Sequence, residues 1–459
     1  MSRFSVFSPL FLPLLCVMLL SAAPAQDAYS SDDARLESHL AELKENAAKD
    51  DAYSLRQLYL RYAQAGKEEQ ALAWAQKLLD SLESKAAAGD TKAAWQLGRI
   101  YLTGDGCIPP NRDKAAGTFT KLADTGDADA AYLLADMLEK AGNSTDARMN
   151  YARAYGLYKQ KAAEGNLDAL FREGYMEQMG QGTAADPAAG IDHMERAAKA
   201  GCHAAAYQLF ATYTRGIGTA VNEARALEYA RQLADEAKDA QMAYLLADAY
   251  FKGKAVPADA SVAEKYLEQA VLADHPAALY HKAWLREEAG EFEEALTFYR
   301  RAAAQGHADA AVRAGTILVY GKGGVEADDA AGLNLLQMAA NHLQSPIAAY
   351  ELGRYFGSIG ESGLSEDWYM TAARGGLTDA MAHCGWLHLN PFSSQAWSPT
   401  EAYRWWKIGK DSGDKDCKLC LNLYLFAFIP LILAFVFGTP IFLLCRFARK
   451  TEEKTDNAE

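Results

Sequence analysis

Apolar and small residues recur along this chain with a spacing of about 36 residues. The pattern is clearest in Ala-rich runs that close on glycine: KAAEG at 161–165, AAKAG at 197–201, AAAQG at 302–306 and AARGG at 372–376. The closing residue of each run serves as an anchor. The anchors are Asp50, Gly89, Gly126, Gly165, Gly201, Lys238, Asp274, Gly306, Gln344, Gly376 and Gly413, at intervals of 32 to 39 residues. This regularity predicts an array of similar structural units.

The positions inside each unit predict a pair of helices. Ala93, Leu97 and Tyr101 follow their anchor at offsets of 4, 8 and 12, which places them on one helical stripe. Nine residues after the anchor the residue is Gly or Ala in eight of nine units, and a small residue there lets a second helix approach closely. The Ala-rich run forms that second helix, and glycine at the next anchor suits a left-handed C-cap. About ten antiparallel helix pairs are therefore expected over residues 50–413, with residues 26–49 as an N-terminal helical cap.

A Gly-x-Gly segment in YLTGDGCIPP raises the alternative of a phosphate-binding loop, because glycine amides at a helix start can bind phosphate. The same pair recurs at equivalent positions of four units. The pairs are Gly104/Gly106, Gly180/Gly182, Gly216/Gly218 and Gly321/Gly323. A phosphate site would need one such loop after a strand. A loop that recurs between predicted helices instead indicates a corner of the repeat, where glycine adopts positive φ without steric cost.

The unit A-x-x-x-L-G-x-x-Y-x-x-G-x-G, followed by an Ala-rich helix that ends in A-A-x-x-G, resembles the Sel-1-like repeat. That family is a longer-looped branch of the tetratricopeptide-like helical repeats. The resemblance covers roughly residues 50–413 and implies an all-α, right-handed α/α superhelical solenoid that binds other proteins. Two units, from Asp274 and from Gln344, span only 32 residues and lack the long loop. Residues 287–306 resemble an ordinary tetratricopeptide unit.

Aromatic residues recur six positions after the anchors, and others follow one helical turn later. By analogy with tetratricopeptide geometry, these positions can face the concave side and contact a polypeptide partner. The alternative, which we favour, is that the rings are partly packed between neighbouring repeats. The candidate partner-binding residues are Trp95, Tyr132, Phe171, Tyr207, Tyr244, Tyr280 and Tyr350, with Trp284 and Trp386 one turn on.

Charged residues interrupt the apolar stripe in two units. Glu173 and Glu177 stand in one unit, and Lys282 and Arg286 in another, at offsets where other units have Leu and Tyr. Charges at core positions cost free energy unless they are paired or hydrated. They mark either a functional site or a helix rotated so that the charges reach solvent. We favour rotation.

The two ends of the chain predict export and membrane attachment. Residues 1–25 contain a long apolar run that ends in small residues, which is typical of a signal peptide. Residues 421–445 contain no charge and are long enough for a transmembrane helix, which leaves 446–459 as a cytosolic tail. The expected localisation is therefore a single-pass membrane protein, with the repeats on the periplasmic side of a bacterial inner membrane. Cys417 and Cys420 precede this span, and the sequence does not decide whether they form a disulfide.

The net charge and the sequence motifs limit the functions that are expected of this chain. The net charge is −14; since Arg3 is the only charge in residues 1–25 and the charges of 446–459 cancel, residues 26–445 carry −15. Such an acidic chain repels phosphate backbones, so we expect no nucleic-acid partner. The sequence contains no H-E-x-x-H, G-x-S-x-G or Walker motif, and we expect no enzymatic activity, cofactor or metal.

The function predicted from the sequence is a membrane-anchored scaffold or adaptor that binds proteins through the concave face of the repeats, in bacterial envelope assembly or export. Two alternatives remain open. One is a single-pass regulator that relays a signal across the membrane. The other is a lumenal adaptor similar to that of endoplasmic-reticulum-associated degradation.

Overall fold

The computed structural model describes residues 40–390, 393, 395 and 397–425, and this part of the chain is helical with no strand. Residues 40–48 are helical, and twenty-one further α-helices follow among the described residues. They are α1 (Ala52–Gln64), α2 (Glu68–Ala87), α3 (Thr91–Thr103), α4 (Arg112–Asp124), α5 (Ala128–Lys140), α6 (Ser144–Ala163), α7 (Leu167–Met179), α8 (Pro187–Lys199), α9 (His203–Arg215), α10 (Glu223–Glu236), α11 (Ala240–Lys252), α12 (Ala260–Leu272), α13 (Pro276–Glu288), α14 (Phe292–Ala304), α15 (Ala308–Tyr320), α16 (Asp329–Asn341), α17 (Pro346–Ser358), α18 (Ser362–Arg374), α19 (Thr378–Leu387), α20 (Pro399–Asp411) and α21 (Lys415–Leu423).

These helices form ten consecutive hairpins among the described residues, α1/α2 to α19/α20, as the repeat pattern predicts. The chain divides into two compact units, one ending at His193 and the other beginning at Met194. Within each unit the helices of a hairpin pack on each other, and each hairpin packs on the next one along the chain. Each unit is thus a solenoid-type stack, because one hairpin buries its apolar face only against its neighbours. The right-handed sense of the superhelix stays a prediction.

Every anchor lies in the left-handed region of backbone conformation. Seven anchors are glycines with φ between 83° and 99°. The other four carry a side chain at positive φ: Asp50 (62°), Lys238 (57°), Asp274 (53°) and Gln344 (53°). The predicted left-handed turn at the end of each second helix is therefore confirmed, including at positions where the sequence does not supply glycine.

Small residues on the first helix allow the two helices of a hairpin to approach closely. A Cβ added to Gly98 would lie 2.8 Å from the ring of Phe119 on α4. A Cβ added to Gly190 on α8 would lie 2.4 Å from the carbonyl oxygen of Gly174 on α7. These glycines are therefore packing positions, which confirms the predicted role of the small residue at offset nine.

The Gly-x-Gly segments are corners between two helices. Gly104 and Gly106 have φ of 75° and 55°, and they lie in the loop that joins α3 to α4. Between them, the Asp105 carboxylate accepts two hydrogen bonds from the Arg56 guanidinium on α1, at 2.6 Å and 2.8 Å. The loop thus joins the two helices of one hairpin and, through Asp105, also contacts the preceding hairpin, so the structure supports an architectural role.

Loop length varies as predicted for the two short units. Only residues 289–291 separate α13 from α14, and only residues 359–361 separate α17 from α18. Two more hairpins have equally short loops, residues 65–67 between α1 and α2 and residues 141–143 between α5 and α6. Those two units keep their full length because α2 and α6 each have 20 residues, a compensation that the sequence pattern did not reveal.

The predicted membrane localisation is wrong for the part of the chain that the structure describes. None of the helices there is both long enough and apolar enough to cross a bilayer. The predicted signal peptide, residues 26–39 of the cap, residues 426–445 of the predicted span and the tail 446–459 lie outside the described residues. The roles that depend on a membrane span are therefore not proposed.

Candidate functional site

The aromatic row predicted from the sequence lies on the first helices of the hairpins, and its members differ in exposure. Tyr207, Trp284 and Trp386 are exposed. The other six rings, Trp95, Tyr132, Phe171, Tyr244, Tyr280 and Tyr350, are half-buried. The structure therefore separates three rings that a partner can reach easily from six that are partly covered by neighbouring side chains.

Several of these rings contact the N-cap residue of the next hairpin. The Trp95 indole Nε1 donates a hydrogen bond to Asp127 Oδ2 at 2.8 Å, and Asp127 caps α5. The Tyr207 hydroxyl donates to Asp239, which caps α11. These two rings therefore each connect their own hairpin to the next one along the chain.

Two histidine caps take part in the same arrangement. Tyr244 stacks on His275, the N-cap of α13, with ring centroids 5.2 Å apart. Tyr280 stacks on His307, the N-cap of α15, at 4.7 Å. Burial lowers the pKa of both histidines, which favours the neutral imidazole that a cap requires as an acceptor.

The remaining members of the row pack mainly against other rings. Tyr132 lies 5.4 Å from Tyr151 and Tyr350 lies 5.4 Å from Tyr369, between ring centroids. Trp386 makes an edge contact at 5.0 Å with the fully buried Trp406. Phe171 lies 6.4 Å from Tyr175 on the same helix. Because neighbouring rings occupy the space beside them, these side chains have few alternative rotamers.

Four side chains on α11 and α13 form what we call the α11/α13 aromatic cluster: Tyr244, Phe251, His281 and Trp284. His281 is central, with its ring centroid 6.4 Å from that of Tyr244, 5.2 Å from Phe251 and 6.1 Å from Trp284. Burial lowers the pKa of His281, so the cluster is predominantly uncharged near neutral pH. The Trp284 side chain is 41% exposed and forms the accessible edge.

Sequence reasoning missed two members of this cluster. His281 follows Tyr280 directly, and Phe251 lies one helical turn after Asp248 on α11. The available signal was helical spacing. Phe251, 13 residues after its anchor, shares a helix face with offsets 6 and 10, and His281, 7 residues after its anchor, lies one turn before Trp284 at offset 10. Neither residue belongs to the repeat pattern, so the pattern did not select them.

In the first unit, a groove of about 950 Å³ runs along the first helices α1 and α3. Trp95 and Arg99, which the sequence places at offsets 6 and 10, both line it, together with Tyr53 and Arg56 of the preceding hairpin. Offsets 6 and 10 therefore line the same groove in this unit.

The charged interruption in α7 is buried, which corrects the predicted rotation toward solvent. Glu173 is 5% exposed and Glu177 is 9% exposed. Glu177 Oε2 lies 2.8 Å from His193 Nδ1 on α8, and the Tyr155 hydroxyl of α6 donates to Glu177 Oε1 at 2.9 Å. Burial and the contact with Glu177 raise the pKa of Tyr155 to about 12. Contacts with α6 and α8 hold these carboxylates inside the stack.

The second interruption is satisfied by ion pairs. The Lys282 side chain is mostly buried and its Nζ lies 3.3 Å from Glu268 Oε2 on α12. Arg286 is more exposed and its Nη1 lies 2.5 Å from Glu291 Oε2. Rotation toward solvent therefore applies to Arg286 but not to Lys282, because the charge of Lys282 is compensated by an ion pair within the stack.

The cysteines near the end of the described chain are free thiols. Cys417 is buried and Cys420 is half-buried, and they are not joined to each other. Burial raises the pKa of Cys417 to about 12 and also raises that of Cys420. A high thiol pKa suppresses the reactive thiolate, so this pair does not resemble a redox site.

Comparison with known proteins identifies the repeat. The Sel1 repeat model matches seven stretches that together make up about half of the chain. They are residues 91–126, 167–202, 203–237, 240–275, 291–307, 308–342 and 378–414. The stretch 291–307 is half a unit and falls in the region that resembles an ordinary tetratricopeptide repeat.

Solved structures show the same fold. The protective antigen c5321 of uropathogenic Escherichia coli, described as displaying an SLR fold, is similar with 22% sequence identity and a TM-score of 0.52, over 84% of this chain and 82% of that chain. A Sel1 repeat protein from Oxalobacter formigenes is similar with 22% identity and a TM-score of 0.53, over 67% of this chain and 90% of that one. The helix hairpins, the left-handed anchors and the family match lead to one conclusion: this chain belongs to the Sel1 repeat family.

Proposed function

We propose that this Sel1 repeat protein is a scaffold that binds another protein through the first helices of its hairpins. The observation that carries the proposal is the α11/α13 aromatic cluster, in which an exposed tryptophan is supported by three other rings. Tryptophan and tyrosine dominate the binding energy of protein interfaces because they contribute a large contact area at small entropic cost.

The packing of the cluster favours binding. His281 contacts Tyr244, Phe251 and Trp284, so these rings are already ordered before a partner arrives. A pre-ordered ring loses little rotamer entropy on association. The contacts between rings and N-caps, which hold neighbouring hairpins together, therefore also prepare the binding surface.

The cluster indicates the chemistry of the partner. Its rings are uncharged near neutral pH, and one ion pair, between Lys252 Nζ and Asp248 Oδ1 at 2.8 Å, lies beside it on α11. We propose that the partner presents a polypeptide segment with apolar or aromatic side chains that pack on Trp284. Within the second unit, Tyr207 and Trp386 would extend the contact surface and the half-buried rings Tyr280 and Tyr350 would line it. In the first unit, Trp95, Tyr132 and Phe171 would supply a contact surface of their own.

Site-specific photo-crosslinking tests the proposal. A benzophenone amino acid at Trp284 in the full chain should capture a partner that mass spectrometry identifies. The same residue at Leu272, an exposed position at the end of α12, serves as the control and should not capture that partner. Trp284→Ala should then weaken binding of the purified partner at least tenfold, and Leu272→Ala should leave it unchanged. Equal capture from both positions, or unchanged affinity of Trp284→Ala, would refute this role of the cluster.

A further inference from the structure

The α7/α8 hairpin differs from its neighbours at three core positions at once. Glu173 and Glu177 occupy the offsets of Leu209 and Tyr213 in α9, and of Leu246 and Tyr250 in α11. His193 is the seventh residue of α8, where the next five second helices have an aromatic residue or leucine. Those residues are Tyr229, Tyr266, Phe298, Leu335 and Trp368. The α7/α8 hairpin thus has two carboxylates and an imidazole where α9/α10 and α11/α12 each have one leucine and two tyrosines.

Close helix packing brings the three side chains together. Gly174 and Gly190 bring the α7 and α8 backbones into contact, since a Cβ on Gly190 would lie 2.4 Å from the Gly174 carbonyl oxygen. Glu177 and His193 each follow one of these glycines by three residues, so they face each other across the contact. Glu173 lies one turn before Glu177 on the same face of α7.

The three side chains lie close enough together to contact a single ion. One oxygen from each glutamate and one imidazole nitrogen lie within 4.8 Å of one another. Both carboxylates are almost fully buried, while the His193 side chain is 24% exposed. The imidazole edge therefore offers a route by which an ion can enter from solvent.

Electrostatics favours a cation at this position. Two carboxylates in one buried site repel each other, so a positive charge close to both oxygens is favoured there. A divalent ion supplies two positive charges and bonds directly to both oxygens. The imidazole favours a transition metal over Mg²⁺ or Ca²⁺, which prefer oxygen ligands alone.

We propose that Glu173, Glu177 and His193 bind a divalent transition-metal ion, such as Zn²⁺ or Mn²⁺, that cross-links α7 to α8. The Tyr155 hydroxyl, which donates to Glu177, orients that carboxylate from outside the coordination sphere. The ion stabilises this hairpin in place of the apolar contacts found at the same positions in the neighbouring hairpins. This site is independent of the aromatic cluster, so either proposal can fail without the other.

Metal titration of the full chain tests the site. Protein stripped with a chelator is titrated with ZnCl₂, and separately with MnCl₂, by isothermal calorimetry, and the bound metal is counted by mass spectrometry. We expect one ion per chain and a higher melting temperature in its presence. The double substitution Glu173→Gln and Glu177→Gln keeps the side-chain shape and should lower the affinity at least 100-fold. His203→Gln is the matched control, because His203 lies 3.6 Å from Glu236 in an exposed His–Glu pair, and it should leave the affinity unchanged.

A second variant separates loss of metal from loss of folding. The triple substitution Glu173→Leu, Glu177→Tyr and His193→Tyr restores the residues of the neighbouring hairpins. It should fold, melt at a temperature that neither Zn²⁺ nor chelator changes, and bind no ion. The proposal is overturned if the unmodified chain binds neither ion at one per chain, or if the glutamine variant binds as tightly as the unmodified chain.

Discussion

Two glycines inside second helices of the first unit should respond in opposite ways to the same substitution. Gly156 in α6 is exposed, and a Cβ added there would meet nothing within 4 Å. Gly190 in α8 faces α7, and its Cβ would lie 2.4 Å from the Gly174 carbonyl oxygen and 2.6 Å from the Gln178 amide nitrogen. Both have ordinary helical φ, so only the surroundings differ.

The expected magnitudes follow from these contacts. Replacing glycine by alanine in a helix interior stabilises the folded protein by about 1 kcal/mol, because alanine loses less backbone entropy on folding than glycine does. Gly156→Ala should therefore raise the free energy of unfolding by about 1 kcal/mol. At Gly190 the same gain is opposed by overpacking, which typically costs about 1–3 kcal/mol. The clashing atoms are backbone, so only separation of α7 from α8 relieves them, and we expect a net loss of about 1–2 kcal/mol.

Thermal unfolding and hydrogen exchange measure the two outcomes. The melting temperature should rise for Gly156→Ala and fall for Gly190→Ala. Because stacked repeats can open locally, amide exchange should also quicken in α7 and α8 of Gly190→Ala and in no distant hairpin. If Gly190→Ala stabilises the chain as much as Gly156→Ala does, then α7 and α8 do not make the close backbone contact described above.

Two further predictions concern caps and anchors. His275 and His307 accept hydrogen bonds from the first turns of α13 and α15, and burial lowers their pKa below that of the unfolded chain, about 6.5. As the pH falls, these histidines therefore take up protons in the unfolded chain before they do so in the folded one. The stability that the neutral caps contribute above about pH 6.5 is lost below that pH. The double variant His275→Asn/His307→Asn should show a flatter dependence of melting temperature on pH between 8 and 5, and an unchanged dependence would contradict the role of these caps. Gln344→Gly should stabilise by about 0.5–1 kcal/mol in thermal unfolding, because Gln344 has φ of 53° and glycine removes the left-handed strain at a smaller entropic cost. Gln305→Gly at φ −88° has no such strain to remove, and equal stabilisation of both variants would refute the argument.

The repeat architecture was predictable from the sequence because it depends on local rules applied many times. The offset between an anchor and the small residue recurs in nearly every unit, so single departures such as Phe210 did not hide it. Lys238 and Gln344 were recognised as anchors from the Ala-rich helix before them, although neither suits a left-handed turn. The length of α6 was not predictable, because its added turns carry no repeat signature and simply replace a loop.

The candidate sites were predictable only in part, because they depend on contacts between units of the repeat. The sequence places Trp95 and Tyr244 correctly on the first helices. It does not show that they meet Asp127 and His275, which become neighbours only when hairpins stack.

The charged residues of α7 show the same limit. Glu173 and Glu177 are evident as exceptions, and rotation toward solvent was the simpler expectation. Their burial depends on His193, sixteen residues after Glu177, and on the close approach at Gly190. A pattern of offsets within one helix contains neither fact.

The uniform backbone turn at the anchors has an evolutionary consequence. Every junction between hairpins has the same local conformation, and several rings reach only as far as the cap of the following hairpin. Excision or duplication of the chain between two anchors would therefore join surfaces that already match. Such an array can gain or lose modules by in-frame recombination, while a hairpin with an unusual interior, such as α7/α8, can diverge without disturbing the others.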